Sequence, residues 1–185
     1  MTSVDLMLEE HRLIERMLKV LEDCAERLDR GDRVPAEMLS GMLEFIQVYA
    51  DAGHHAKEED LLFPALAAHG LEPDSSSIGA FKAQHVSGRL FVREMRDALP
   101  AASRGERAGA QAFAASAQDY IALLREHIRL ENHHFAEYAA EYFTPAEDAT
   151  LRAQMDAVDC ARALDVGVDR YPTMVAEFEE ALLKC

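Results

Sequence analysis

Six side chains of this sequence have the types and the spacing to hold metal ions. His54 and Glu58 are four residues apart, as are His127 and Glu131. On a helix that step puts both side chains on one face, one turn apart, within reach of a single centre. Spacing alone is weak: with eight His and Glu at about one position in nine, about one such pair is expected by chance. Five occur, namely His11 with Glu15, His54 with Glu58, His55 with Glu59, His127 with Glu131 and His133 with Glu137. Duplication separates two of them from the rest, because His11 precedes His54 by 43 residues and His85 precedes His127 by 42. Each half carries a lone His followed by a His plus Glu. Two helix hairpins packed antiparallel bring His11, His54, Glu58, His85, His127 and Glu131 together.

That set suits two metal ions. Four imidazoles give two nitrogens per ion, Glu58 and Glu131 bridge the ions, and one solvent-derived oxygen (oxo, hydroxo or water) completes the bridge. Each ion then has five donors and one open position for dioxygen, nitric oxide or peroxide. Imidazole and carboxylate without thiolate point to two iron ions, with manganese or zinc as substitutes.

Four long helices must position these residues. Leu6, Leu13, Ile14, Met17, Leu18, Leu21 and Leu28 recur at helical steps from Ser3 to about Arg30, and Gly31-Asp32 ends the run. Pro35 opens a second helix toward Gly70, in which Gly53 and Pro64 predict a bend, or a break near Leu62. The turn from Glu72 to Ser77 precedes a third helix reaching about Leu99, before Pro100, and a fourth runs from about Glu106 to Phe143. Thr144-Pro145-Ala146-Glu147 has the spacing of a capping box, and a last amphipathic stretch runs through Met174, Val175, Phe178 and Leu182. The expected fold class is all-α: an up-down antiparallel four-helix bundle over residues 1–143, with one or two short C-terminal helices in 144–185 packed on it. That tail suits either a cap over the bundle end or a homodimer interface.

The strings Glu9-Glu10-His11-Arg12, His54-His55-Ala56-Lys57-Glu58-Glu59-Asp60-Leu61-Leu62-Phe63-Pro64, His85-Val86-Ser87-Gly88-Arg89 and His127-Ile128-Arg129-Leu130-Glu131-Asn132 resemble the hemerythrin-like, or His-His-Glu cation-binding, family over about residues 3 to 143. The resemblance implies a di-iron bundle with the six ligands named above. Its string places the ligand His ten residues before Pro64, which selects His54 and Glu58 over the competing register of His55 and Glu59. Glu59 is left to orient an imidazole. Oxygen-carrying members have a second His one turn after the third-helix ligand. Here that position is Arg89, so the site resembles the six-ligand bacterial members, and simple oxygen transport is disfavoured. An Arg89 directed into the bundle would favour anionic ligands through its fixed charge.

The fourth helix departs from the pattern at Asn132-His133-His134-Phe135. His134 reads either as a seventh ligand or outer donor, or as a bundle-end histidine, and His133 as a bundle-end residue. Tyr120 and Gln47, two turns before His127 and His54, read as core residues able to hydrogen-bond a bound oxygen species. His69 beside Gly70 reads as a helix-end residue.

Composition narrows the function. A chain of 185 residues suits one domain, and 19 Lys and Arg against 34 Asp and Glu leave a net charge of −15, which argues against nucleic-acid and membrane partners. Cys24, Cys160 and Cys185 are an odd, scattered set, as in a reducing compartment. The acidic N-terminus and lack of a long apolar run predict a cytoplasmic protein. Two functions follow from the resemblance: a protein that binds or senses dioxygen, nitric oxide or peroxide, or an enzyme that reduces peroxide or nitric oxide or serves iron-sulfur centre repair under stress. The Cys pair that such repair proteins often carry near the N-terminus is missing. Ferritin-like storage is disfavoured, since that class uses Glu-x-x-His pairs.

Overall fold

The computed structural model describes residues 2–72, 77–167 and 170–184; Pro73 to Ser76 of the expected turn, and Cys185, lie outside them. Helix is the only regular structure among the described residues. The first helix, α1 (Ser3–Arg30), has the bounds its apolar spacing predicts. At its start Thr2 and Asp5 form a reciprocal capping box, with the Thr2 hydroxyl accepting from the Asp5 N–H and the Asp5 carboxylate from the Thr2 N–H. At its end Gly31 turns left-handed with φ 90°, so that the Asp32 N–H reaches the Arg27 carbonyl and the Gly31 N–H the Leu28 carbonyl.

The second helix does not break at Leu62. It continues from α2 (Ala36–Glu44) through two π-helical segments, π1 (Phe45–His55) and π2 (Glu58–Leu62), into α3 (Phe63–Ala68). Pro64 supplies no N–H, and its ring would crowd the carbonyl four residues earlier in an ideal α-helix. The wider turn accommodates it: the Phe63 N–H bonds to the Glu58 carbonyl, five residues back.

The third helix, α4 (Ser77–Ser103), runs past the predicted end and carries Pro100 inside its last turn. The helix α5 (Arg107–Tyr142) lies alongside it after Gly105, which has φ 75°. The C-terminal helices are α6 (Pro145–Val166) and α7 (Arg170–Leu183), so the first is longer than the short helix expected. The Thr144–Glu147 capping box forms as its spacing predicts.

Packing divides the apolar interior into two clusters on either side of a buried polar layer. The larger joins Leu18, Leu21, Met42, Phe45, Phe113 and Tyr120 with Tyr171 and Val175 of α7. The smaller joins Val4, Met7, Phe63, Phe81 and Phe135 with Leu151 and Met155 of α6. The fit of α7 against α2 is close, since a Cβ on Gly41 would stand 2.6 Å from the Phe178 ring. Asp148 of α6 accepts from both the N–H and the hydroxyl of Ser3, tying α6 to the start of α1. No described helix is long and apolar enough to cross a membrane.

Candidate metal centre

Four helical stretches deliver the polar layer. Helix α1 brings His11, the π-helical stretch brings His54, His55 and Glu58, α4 brings His85, and α5 brings His127 and Glu131, and all seven are buried. In an ideal α-helix consecutive side chains point about 100° apart, so His54 and His55 would not both face one centre. Here the Ala56 N–H bonds back to the Asp51 carbonyl, five residues away, and the wider turn directs both imidazoles inward.

The carboxylates sit between the imidazoles. Glu58 Oε1 lies 3.2 Å from His54 Nε2 and Glu58 Oε2 lies 3.3 Å from His85 Nε2, so this one group spans both halves of the layer. Glu131 Oε2 lies 3.3 Å from His11 Nε2 and 3.0 Å from His127 Nε2. Nε2 of His85 and Nε2 of His127 face each other at 3.1 Å. His55 stacks on His85 with ring centroids 3.9 Å apart. Two groupings result, each with ligand atoms close enough to share one ion: His11, His54, Glu58 and Glu131, and His55, Glu58, His85 and His127.

Each imidazole is held from outside through Nδ1. Asn132 Oδ1 holds His11 at 2.7 Å, Glu10 holds His54 at 2.8 Å, Glu59 holds His85 at 2.7 Å, and Gln84 Oε1 holds His127 at 3.0 Å. Asp51 makes a longer 3.4 Å contact to His55. Such partners fix the tautomer and leave Nε2 as the inward lone pair. Four of them follow one rule. Glu10, Glu59, Gln84 and Asn132 each adjoin a member of the layer in sequence, yet support an imidazole on a different helix. Glu59 was expected to orient an imidazole; the other three were missed, although their place beside His11, His85 and Glu131 was the available signal.

The inward atoms fit a cation. His11 Nε2, His54 Nε2 and all four oxygens of Glu58 and Glu131 are buried without a hydrogen-bond partner. Buried carboxylates left so cost several kcal/mol unless a positive charge compensates them. The ionisation of these groups follows the same demand. Burial disfavours the charged form of Glu58, but the His54 and His85 imidazoles outweigh it and hold Glu58 well below the ordinary carboxylate range. Burial likewise opposes a charged His54, yet Glu58 and Glu10 push it up to about 10. His55, by contrast, is driven down to about 4, chiefly by burial, and so is neutral at pH 7. The donors are nitrogen and oxygen only. Cys24 is packed against Met38 in the apolar core, with its thiol pushed up to about 12 by burial, and Cys160 is exposed.

The layer has one closed side and one open side. Behind His54, Glu10 also binds the fully buried ammonium of Lys57, which reaches Asp159 of α6 at 2.7 and 2.9 Å. Beside His55 and His85 lies a cavity of about 310 Å³, whose wall includes Gln47 and Tyr120. Arg89 stands at its rim, 41% exposed, bonded to Asp51 at 2.7 Å and to Glu59 at 2.9 Å. Its charge is therefore engaged by the two carboxylates that hold His55 and His85, and it does not enter the layer. His134 also lies outside both groupings, stacked on Tyr138 and 3.8 Å from Glu137, while His133 is exposed and His69 faces Glu147.

The sequence profile of the hemerythrin HHE cation-binding domain matches residues 2–139. The chain belongs to the hemerythrin HHE family. Domains of this family bind metal cations, and the two buried His and Glu groupings could hold them. Uncharacterized proteins of Mycobacterium bovis and Mycobacterium tuberculosis are 22% identical to it over 98% of this chain and 70% of their own length. No solved structure matches the chain.

Proposed function

We propose that this hemerythrin HHE protein holds two iron ions and binds or senses a small oxygen or nitrogen ligand, such as dioxygen, nitric oxide or peroxide, at an open coordination position. The supporting observation is the pairing of five imidazoles, each held outside through Nδ1, with two buried carboxylates whose oxygens lack partners. In this reading the four helices form an up-down bundle over residues 1–143, and residues 144–185 are an extension packed on it. His11, His54, Glu58, His85, His127 and Glu131 would hold the ions, with Glu58 and Glu131 placed between the imidazoles of both groupings and His55 as a fifth imidazole on the side of His85 and His127.

When bound, two irons supply electrons and a Lewis-acidic position for the incoming ligand. The protein supplies the rest. Glu10, Asn132, Glu59 and Gln84 keep the imidazoles in the tautomer that presents Nε2. The Phe63, Phe81 and Phe135 cluster borders the layer on one side and keeps water from it. Access is left to the side of His55 and His85, where the cavity lies.

The test is anaerobic loading with ferrous iron, followed by metal analysis and by optical spectra before and after exposure to dioxygen. About two irons per chain and a reversible optical change are expected. Less than one iron per chain overturns the dinuclear reading, and irreversible bleaching with consumption of added peroxide replaces binding by turnover.

A further inference from the structure

The cavity beside His55 and His85 is larger than a diatomic ligand requires. A dry cavity of about 150 Å³ already admits benzene, and this one measures about 310 Å³. It follows α4 from His85 through Gly88 and Val92 to Arg93 and Arg96, about 16 Å of helix rise between its ends. Its wall is apolar in the middle, at Ile46, Val92 and Leu124.

One feature of the wall is unexplained by packing. Gly88 is a buried glycine in the interior of a long helix, where alanine is the more stable residue. A Cβ there would meet only ordinary contacts, the nearest being the Tyr120 ring at 3.5 Å. Close packing does not demand glycine at this position, whereas a side chain would take up cavity space. Tyr120 is 2% exposed and lines the same cavity. Burial holds its phenol in the protonated, donating form.

Charge points the same way. Arg93 and Arg96 are exposed, lie one turn apart at the far end of the cavity, and have no ion-pair partner among the described residues, unlike Arg89. In a chain with a net charge of −15, two free guanidiniums over an apolar chamber make a local site for a carboxylate.

We infer that this cavity binds a small organic carboxylate of about ten heavy atoms, its head group at Arg93 and Arg96, its apolar body beside Gly88 and Val92, and its far end near Tyr120, His55 and His85. The inference rests on the proposed metal reading only for what would happen at that far end. Binding itself requires no metal.

Octanoate is the probe, titrated calorimetrically into metal-free and iron-loaded protein, with octanamide and acetate as controls. One octanoate per chain is expected in both forms, with octanamide and acetate each at least tenfold weaker. The Arg93→Gln, Arg96→Gln double variant should lose at least tenfold in affinity for octanoate and keep its thermal midpoint. Gly88→Leu should abolish binding by filling the chamber. Gly88→Ala, which fits without displacement, serves as the folding control and should weaken binding less. Equal affinity for octanamide, undiminished binding in the double variant, or no saturable octanoate binding would each overturn the inference. Iron stoichiometry is measured separately, so failure to load iron with octanoate still bound removes the metal reading and leaves the cavity assignment standing.

Discussion

The two sides of the polar layer start from duplicated sequence and end in different surroundings. On the side of His11 and His54, half-buried Asn132 holds one ring, buried Glu10 holds the other, and Glu10 is itself bound by a fully buried Lys57 that reaches Asp159 on α6. Burial pushes Glu10 up, but His54 and Lys57 outweigh that and hold it ionised. On the side of His55, His85 and His127, the outer partners Asp51 and Glu59 converge on a half-exposed Arg89 at the rim of a cavity. One side is closed by a charge chain running into α6. The other opens on a cavity. A repeat in sequence fixes which residues meet, while the elements packed outside them fix which side a ligand can enter.

The largest effect should come from the group common to both sides. Glu58→Ala removes a carboxylate that faces His54 and His85 at once. A saturating cation at about a thousand times its dissociation constant stabilises a native state by about 4 kcal/mol. Thermal unfolding with and without ferrous iron should show a shift of that order in the wild type and none in the variant. A full shift in Glu58→Ala would mean that the two sides do not share this ligand.

The contrast between buried and rim charges comes next. Lys57→Met leaves Glu10 buried without its ammonium and should cost about 3–5 kcal/mol in denaturant unfolding of the metal-free protein. Arg89→Met removes an exposed pair and should cost less than about 1 kcal/mol. Equal losses would erase the distinction between a closed and an open side. Metal affinity should follow with a smaller split. Glu10→Gln and Glu59→Gln each weaken the orientation of one imidazole, and outer partners of this kind typically govern about 10–100-fold in affinity. Competition against a chelator should show the larger loss for Glu10→Gln, whose carboxylate also binds Lys57.

The smallest effect is a baseline far from the centre. Glu22 on α1 receives two hydrogen bonds from Arg125 on α5, and this guanidinium, more than Lys19, holds its carboxyl down at about 2. A carboxyl lowered in the folded state adds stability above its ordinary value near 4.5 and loses it as pH falls toward about 2. The pair is substantially exposed, so Arg125→Gln should remove less than about 1 kcal/mol at pH 7 and nothing measurable at pH 2. Urea titrations at the two pH values provide the comparison.

Much of this was legible in the residues. The apolar spacing of α1 and the Gly31 stop gave that helix its bounds, and Thr144 with Glu147 marked the start of α6. The duplicated His and Glu spacing picked out six residues that the fold does bring together. The errors arose where proline and side-chain neighbours act together. Pro64 signals a break when read alone, but the helix widens into a π turn instead, and Pro100 is absorbed in the last turn of α4. The family string, which places the ligand His ten residues before Pro64, selects His54 over His55, whereas the π turn brings both imidazoles inward. Tyr120 and Gln47 were read chiefly as core, and both also line the cavity.

The sequence by itself determined the chemistry: imidazoles and carboxylates one helical turn apart, no thiolate among them, on apolar faces that must be buried. This follows from local geometry, because residues four apart on a helix share a face whatever surrounds them. The tertiary structure alone decided that His55 turns inward, that Glu10, Glu59, Gln84 and Asn132 serve imidazoles on other helices, and that the side of His55 and His85 opens to a cavity. Those outcomes depend on distances between helices and on which neighbour covers each face, quantities set by the packing of all the helices together.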